Sequence, residues 1–110
     1  METAPILIVD DDASFRRLLQ KMLVQKGLAC FPASGAAEAR AVLRREKINL
    51  LLCDIRMPGE NGLELIHWVK REYPDLAIIV VSGIDDPEEA AAALELGVYG
   101  YIIKPFEKNQ

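Results

Sequence analysis

Apolar residues along this 110-residue chain alternate between two patterns. Short unbroken apolar runs occupy Ile6-Leu7-Ile8-Val9, Leu50-Leu51-Leu52-Cys53 and residues 77–81. Runs of this length, bounded by acids, Gly or Pro, predict strands buried on both faces. Residues 28–31, closed by Pro32, and residues 101–103 predict two more. Between them the period changes. Phe15, Leu18, Leu19, Met22 and Leu23 recur at intervals of three and four, which predicts an amphipathic helix ending near Gly27. A second helix is expected to be capped by Ser34, with Ala39, Val42 and Leu43 facing inward. A third carries Leu63, Ile66 and Val69 and ends at the Tyr73-Pro74-Asp75 turn. Asp86-Pro87-Glu88-Glu89 opens a fourth, with Asp at the cap, Pro in the first turn and an acid three residues on. Its body, residues 90–96, is mostly alanine and offers a thin packing face; Gly97 ends it.

Strand and helix therefore alternate four times before a final strand. Short links throughout predict an α/β fold, a single doubly wound five-stranded parallel sheet with helices on both faces. The length fits one domain, residues 1–110, and no repeat, low-complexity tract or linker divides it. A formal net charge of −4 gives no electrostatic footprint for nucleic acid or an anionic membrane. No apolar run approaches the roughly 18–20 residues of a membrane span, and no basic region precedes the short N-terminal one. A cytoplasmic protein that binds neither membrane nor nucleic acid is expected. Cys30 and Cys53 lie in apolar strand-like runs and are expected as reduced core thiols. His67 and Trp68 are expected near the surface of the third helix.

The candidate chemistry lies at the strand ends. Asp10 and Asp11 follow the first strand, Asp54 the third, Ser82 the fourth and Lys104 the fifth. In an open parallel sheet these ends form one rim, where ligands collect. Three carboxylates gathered there repel by roughly 4 kcal/mol per close pair at an effective dielectric of about 20, so the cluster calls for a cation. All-oxygen ligands with room for water suit Mg2+ better than zinc. A cation opposite Lys104 would hold an anionic, oxygen-rich group between them, which describes a phosphoryl site with Asp54 as the nucleophile.

Four segments, IVDDDASFRRLL, LLLCDIRMPGENGLELI, VVSG and GYIIKPF, stand in an order and at separations that resemble the receiver domain of two-component response regulators. The likeness runs from Ile6 to Phe106. It implies the flavodoxin-like version of the doubly wound fold and a phosphorylation-dependent switch. By this resemblance Asp54 is the phosphoacceptor, and Asp10, Asp11, Asp54 and the backbone carbonyl of Arg56 bind Mg2+. Lys104 contacts the phosphoryl group, Ser82 moves toward it, and Tyr101 changes rotamer with Ser82. The Lys104–Pro105 bond is expected to be cis. The partners implied are a histidine kinase or phosphotransfer protein as donor and an output domain or effector outside this chain; a second copy of the chain is a further candidate. The protein would act on no separate substrate and so is not an enzyme in the ordinary sense.

Two other readings compete. A phosphorylation-independent interaction module would usually have lost one of Asp10, Asp11, Asp54, Ser82 or Lys104. An aspartate-nucleophile phosphohydrolase would use Asp10 with Asp12, and would leave Asp54 unexplained. Flavin binding fits poorly, because an acidic loop after the first strand repels a phosphate. Against the family pattern, Asn61 stands where Asp is frequent and Ser82 where Thr is more frequent. Ile84 is expected to shield the acyl phosphate from water. After Lys104-Pro105-Phe106 only four residues remain, too few for a helix of ordinary length. The family's fifth helix is therefore expected to be absent or truncated, leaving the first helix's side of the sheet partly bare.

Overall fold

The structure, a computed structural model, describes residues 5–104. In chain order the elements are β1 (Ile6–Val9), α1 (Ala13–Gln25), β2 (Cys30–Ala33), α2 (Ala36–Arg45), β3 (Leu50–Cys53), α3 (Gly62–Glu72), β4 (Ala77–Ser82), α4 (Pro87–Glu95) and β5 (Gly100–Ile103). The five strands form one parallel sheet in the order β2-β1-β3-β4-β5. The expected doubly wound topology is present, with four helices among the described residues.

Strand alternation divides the core in two. Leu7, Val9, Leu51, Cys53, Ile78 and Val80 face α2, α3 and α4, where Val42, Leu65, Ile66, Val69 and Ala93 close a fully buried layer. Ile6, Ile8 and Leu52 point the other way, toward Leu19 and Leu23 of α1. Helix α1 buries no residue completely, and Met22 stays 52% exposed. The side of the sheet that carries α1 is thus the less covered one among the described residues. Helix α4 is as thinly packed as its alanines predicted, with Ala93 its one fully buried residue.

Several boundaries differ from the sequence reading; the fifth strand, for one, starts at Gly100 rather than Tyr101. The second strand starts at Cys30, not Leu28, and runs through Pro32 to Ala33. The amide of Leu28 is taken by the end of α1, donating to the Leu23 carbonyl at 3.1 Å while Gly27, at φ 85°, donates to Val24. This double C-cap needs a left-handed residue, which Gly supplies. Pro32 is tolerated because β2 lies at the sheet edge, where a missing N–H breaks no ladder. Gly97 closes α4 with the same pair of bonds, at φ 93°. Ser34 does not cap the second helix by its side chain. Gly35 holds the cap position, and Ser34 donates its N–H and hydroxyl to Glu38, which reaches back over the first turn. The fourth strand extends by one residue to include Ser82. Cys53 is fully buried as expected, but Cys30 is only half-buried because it sits on the edge strand. His67 is exposed, while Trp68 is half-buried beneath the guanidinium groups of Arg40 and Arg44. The Lys104–Pro105 bond and the segment expected to lack a fifth helix lie outside the described residues.

Candidate phosphoryl and metal site

Backbone ladders carry the site residues one step past their strands. Asp10 N–H donates to Ala33 at 3.1 Å, Asp54 N–H to Val9 at 2.9 Å, and Lys104 N–H to Ser82 at 2.7 Å. Because Val9 pairs with Cys53, Asp10 and Asp54 emerge side by side. Ser82 pairs with Ile103, which brings Lys104 beside the end of β4. The reversal of strand order beside β1 opens the rim at this point.

Asp10 and Asp54 are both buried, 2% and 7% exposed, whereas Asp11 faces solvent. Carboxylate oxygens of the three lie within 4.8 Å of one another. Asp10 Oδ1 accepts the Asp12 N–H at 2.9 Å, and Asp54 Oδ1 accepts the Ile55 N–H at 2.7 Å. Their other oxygens face Lys104 Nζ, at 3.0 Å for Asp10 and 3.7 Å for Asp54. Burial, then the neighbouring Asp10 charge, pushes the Asp54 carboxyl above the usual range; Lys104 and the Ile55 amide pull the other way. Burial works against the Lys104 ammonium, but the hydrogen bond and charge of Asp10, followed by Asp54, outweigh it and raise its pKa. Among the described residues the set is two buried acids and one exposed acid beside Lys104. Its all-oxygen donors and surplus of negative charge fit a hard divalent cation.

Asp12 takes the role of helix cap, its Oδ1 accepting the Ser14 and Phe15 amides. The structure also places residues that pattern alone did not mark. A Cβ on Gly62 would fall 2.1 Å from the Asp54 carbonyl oxygen and 2.7 Å from Ile55 Cα, so α3 starts in direct contact with the backbone that carries Asp54. Nothing in the sequence around Asn61-Gly62, where a helix is expected to begin, marks this contact. Arg16 donates to the Asp10 carbonyl at 2.6 Å. The Phe15 ring centroid lies 4.4 Å from Lys104 Nζ. Both residues look like ordinary members of an amphipathic helix until the fold closes.

Ser82 is fully buried at the rim, and its hydroxyl is engaged within its own loop, accepting the Ile84 N–H at 3.1 Å. Tyr101 Oη is buried without a hydrogen-bond partner in the described structure, and burial raises its pKa while the nearby Ser82 hydroxyl opposes the rise. The Arg56 side chain spans to α4, donating to Glu89 at 2.8 Å and lying 3.4 Å from Asp86. The structure therefore brings Asp10, Asp11, Asp54 and Lys104 together, with Ser82 and Tyr101 along the adjoining edge.

Comparison with known proteins agrees with this geometry. The family model of the response regulator receiver domain matches residues 6–110. The chain belongs to the response regulator receiver domain family. The DNA-binding transcriptional regulator NtrC of Escherichia coli K12 is 36% identical over 110 residues, which is all of this chain and 24% of that protein. This receiver domain thus spans about a quarter of the length of the curated relatives that it matches. Among solved structures, a response regulator receiver protein from Pseudomonas putida superposes with a TM-score of 0.91 at 40% identity, covering 99% of this chain and 92% of that one. Response regulator TrrA from Thermotoga maritima, solved in complex with Mg2+-BeF, gives a TM-score of 0.86 at 27% identity over 96% of this chain and 90% of that one. Among the described residues no helix is long and apolar enough to cross a membrane.

Proposed function

We propose that this receiver domain takes a phosphoryl group from a phosphohistidine onto Asp54 and passes the change in charge and shape to an output partner. The observation that carries this reading is the placement of Asp54, a buried carboxylate 3.7 Å from a lysine and within reach of two further acids. A carboxylate oxygen of Asp54 attacks phosphorus; the phosphorus–nitrogen bond breaks, and the donor imidazole leaves with the bonding electrons. The product is an acyl phosphate. Asp10, Asp11 and Asp54, whose carboxylates gather at the rim, would hold Mg2+ together with the Arg56 carbonyl. When bound, Mg2+ supplies the positive charge that the transferring phosphoryl oxygens need. Lys104 exchanges its contact with Asp54 for one with the phosphoryl group. The chain catalyses its own modification and loss of phosphate and acts on no other substrate.

The switch draws on residues already poised. Phosphorylation adds about −1.5 to −2 charge and strong acceptors. A hydrogen bond from Ser82 to such a group contributes roughly 1.5–3 kcal/mol, for which Ser82 gives up the Ile84 amide. Shifting a two-state equilibrium from 1:99 to 99:1 takes about 5.5 kcal/mol, so Lys104, loop amides and the partner must supply the rest. Tyr101, whose side chain lies beside the Ser82 hydroxyl, follows Ser82. The Mg2+-BeF complex of TrrA and the receiver-bearing regulator NtrC support this reading by analogy. A cytoplasmic location, a histidine kinase or phosphotransfer protein as donor, and an output element outside residues 1–110 complete it. Contact with nucleic acid would fall to that output element.

Intact mass after incubation with a small phosphodonor tests the proposal. A single phosphoryl adduct is expected with Mg2+, lost without it and lost in Asp54→Asn. A folded protein that binds Mg2+ and forms no adduct would instead be an interaction module.

A further inference from the structure

A lysine ends in four flexible bonds, so where its ammonium rests is set by what it touches. Among the described residues Lys104 touches three kinds of group. Asp10 and Asp54 draw Nζ from one side, at 3.0 and 3.7 Å. The stem passes Gly83, where a Cβ would lie 3.6 Å from Lys104 Cδ. The face of Phe15 meets the ammonium with its ring centroid 4.4 Å from Nζ, inside the roughly 6 Å range of a cation–π contact.

The two carboxylates cannot be its lasting anchors. Both belong to the set that would hold a divalent cation, and an oxygen committed to that cation pulls less on a lysine. The phenyl face is neutral and has no such competitor, so its hold on the ammonium persists when the acids are engaged. The ring is also well seated. The Phe15 amide is bonded to the Asp12 cap at 3.2 Å, and the next residue, Arg16, is tied to the Asp10 carbonyl at 2.6 Å. Among the described residues, Phe15 is part of neither buried core cluster.

We propose that Phe15 is a positioning residue for phosphoryl transfer, acting through Lys104. It holds the ammonium on the rim, aimed at the oxygens of the group arriving on Asp54, while Asp10 and Asp54 turn to the cation. This rests on the functional reading of Asp54 and Lys104 given above. Because the contact orients a group that meets the transferring phosphoryl, its loss should lower the maximal rate and leave the half-saturating donor concentration unchanged.

A fluorinated series and one substitution separate this role from simple packing. Replacing Phe15 with mono-, di- and trifluorophenylalanine keeps its size while draining the negative charge of the ring face. With a small phosphodonor and Mg2+, the maximal rate of Asp54 phosphorylation should fall stepwise along the series, reaching about 2- to 30-fold, the range that a cation–π contact spans. Melting temperature and half-saturation should not move. In the NMR spectrum of the unphosphorylated protein with Mg2+, the Lys104 methylene next to Nζ should lie upfield under the ring current, and Phe15→Leu should remove that shift. Wild-type protein that is phosphorylated, alongside a fluorinated series of undiminished rate, overturns the proposal alone. An unshifted Lys104 methylene in the wild type with Mg2+ does the same. Wild-type protein that takes no phosphoryl group overturns the functional reading first, and the proposal with it.

Discussion

Replacing Gly62 with alanine should damage both the fold and the site, because the methyl group has nowhere to go. Its Cβ would fall 2.1 Å from the Asp54 carbonyl oxygen, 1.3 Å short of the 3.4 Å at which ordinary contact begins, and 2.7 Å from Ile55 Cα. Both neighbours are backbone, so no rotamer change relieves the clash. Either α3 or the β3–α3 loop must move by about 1 Å, and the 2.7 Å bond from Gly62 N–H to the Ile55 carbonyl goes with it. Overpacking of this kind costs about 1–3 kcal/mol or more, and the strained hydrogen bond adds about 1 kcal/mol. Better helix propensity returns at most about 1 kcal/mol. A net loss of about 3 kcal/mol lowers the melting temperature of a domain this size by roughly 12–24 °C. Because the displaced backbone is that of Asp54, the rate of phosphorylation should also fall, by up to about 100-fold for a 1 Å misplacement. Thermal denaturation and a phosphorylation time course on the same preparation measure both. Gly35→Ala is the control: nothing lies within 4 Å of its Cβ position, and its cost should stay within about 1 kcal/mol. A Gly62→Ala protein melting within a few degrees of wild type would show that the contact is not what forces glycine at this position.

The remaining predictions concern the charged and shielding groups. Burial and Asp10 hold the Asp54 carboxyl above its usual pKa, so the folded state binds that proton more tightly than the unfolded chain does. Ionising Asp54 therefore costs stability, and the cost grows as pH rises from the unfolded value of about 3.9 through the higher folded one. In EDTA, Asp54→Asn should melt above wild type at pH near 7, with the margin closing below about pH 4; a variant less stable at every pH contradicts the sign. Lys104→Ala should uncouple modification from the switch, leaving the amide resonances of the β4–α4 loop and Tyr101 where the unmodified protein has them. Full shifts in that variant would remove Lys104 from the relay. Ile84, 39% exposed at the loop that receives Ser82, is placed to shield the acyl phosphate. Ile84→Ala should lose phosphate faster, and an unchanged half-life would rule the shield out.

The topology was legible because its signals are local. Four strand-helix units with short links leave few arrangements, and the apolar runs ending in Asp10 and Asp54 mark two strand ends directly. What the pattern could not reveal depended on competition or on distance. Leu28 looks like the start of a strand, yet the double C-cap at Gly27 takes its amide first. Ser34 looks like a cap, yet Glu38 reaches back to it and Gly35 takes the position. Gly62, Phe15 and Arg16 gain their roles only when α1 and α3 close on the rim, through contacts with residues far apart in the chain or in its backbone. The resting placement of Ser82 could not be read either, since a Ser-Gly pair gives no sign of which amide its hydroxyl will accept.

The central claim is that Asp54, and not a neighbouring acid, carries the phosphoryl group. Reductive trapping tests it most directly: the protein is treated with a small phosphodonor and Mg2+, the acyl phosphate is reduced with borohydride, and the resulting homoserine is located by peptide mass spectrometry. Conversion at Asp54 alone is the result expected. Conversion at Asp10 would contradict the account and favour a phosphohydrolase-like nucleophile on the first strand.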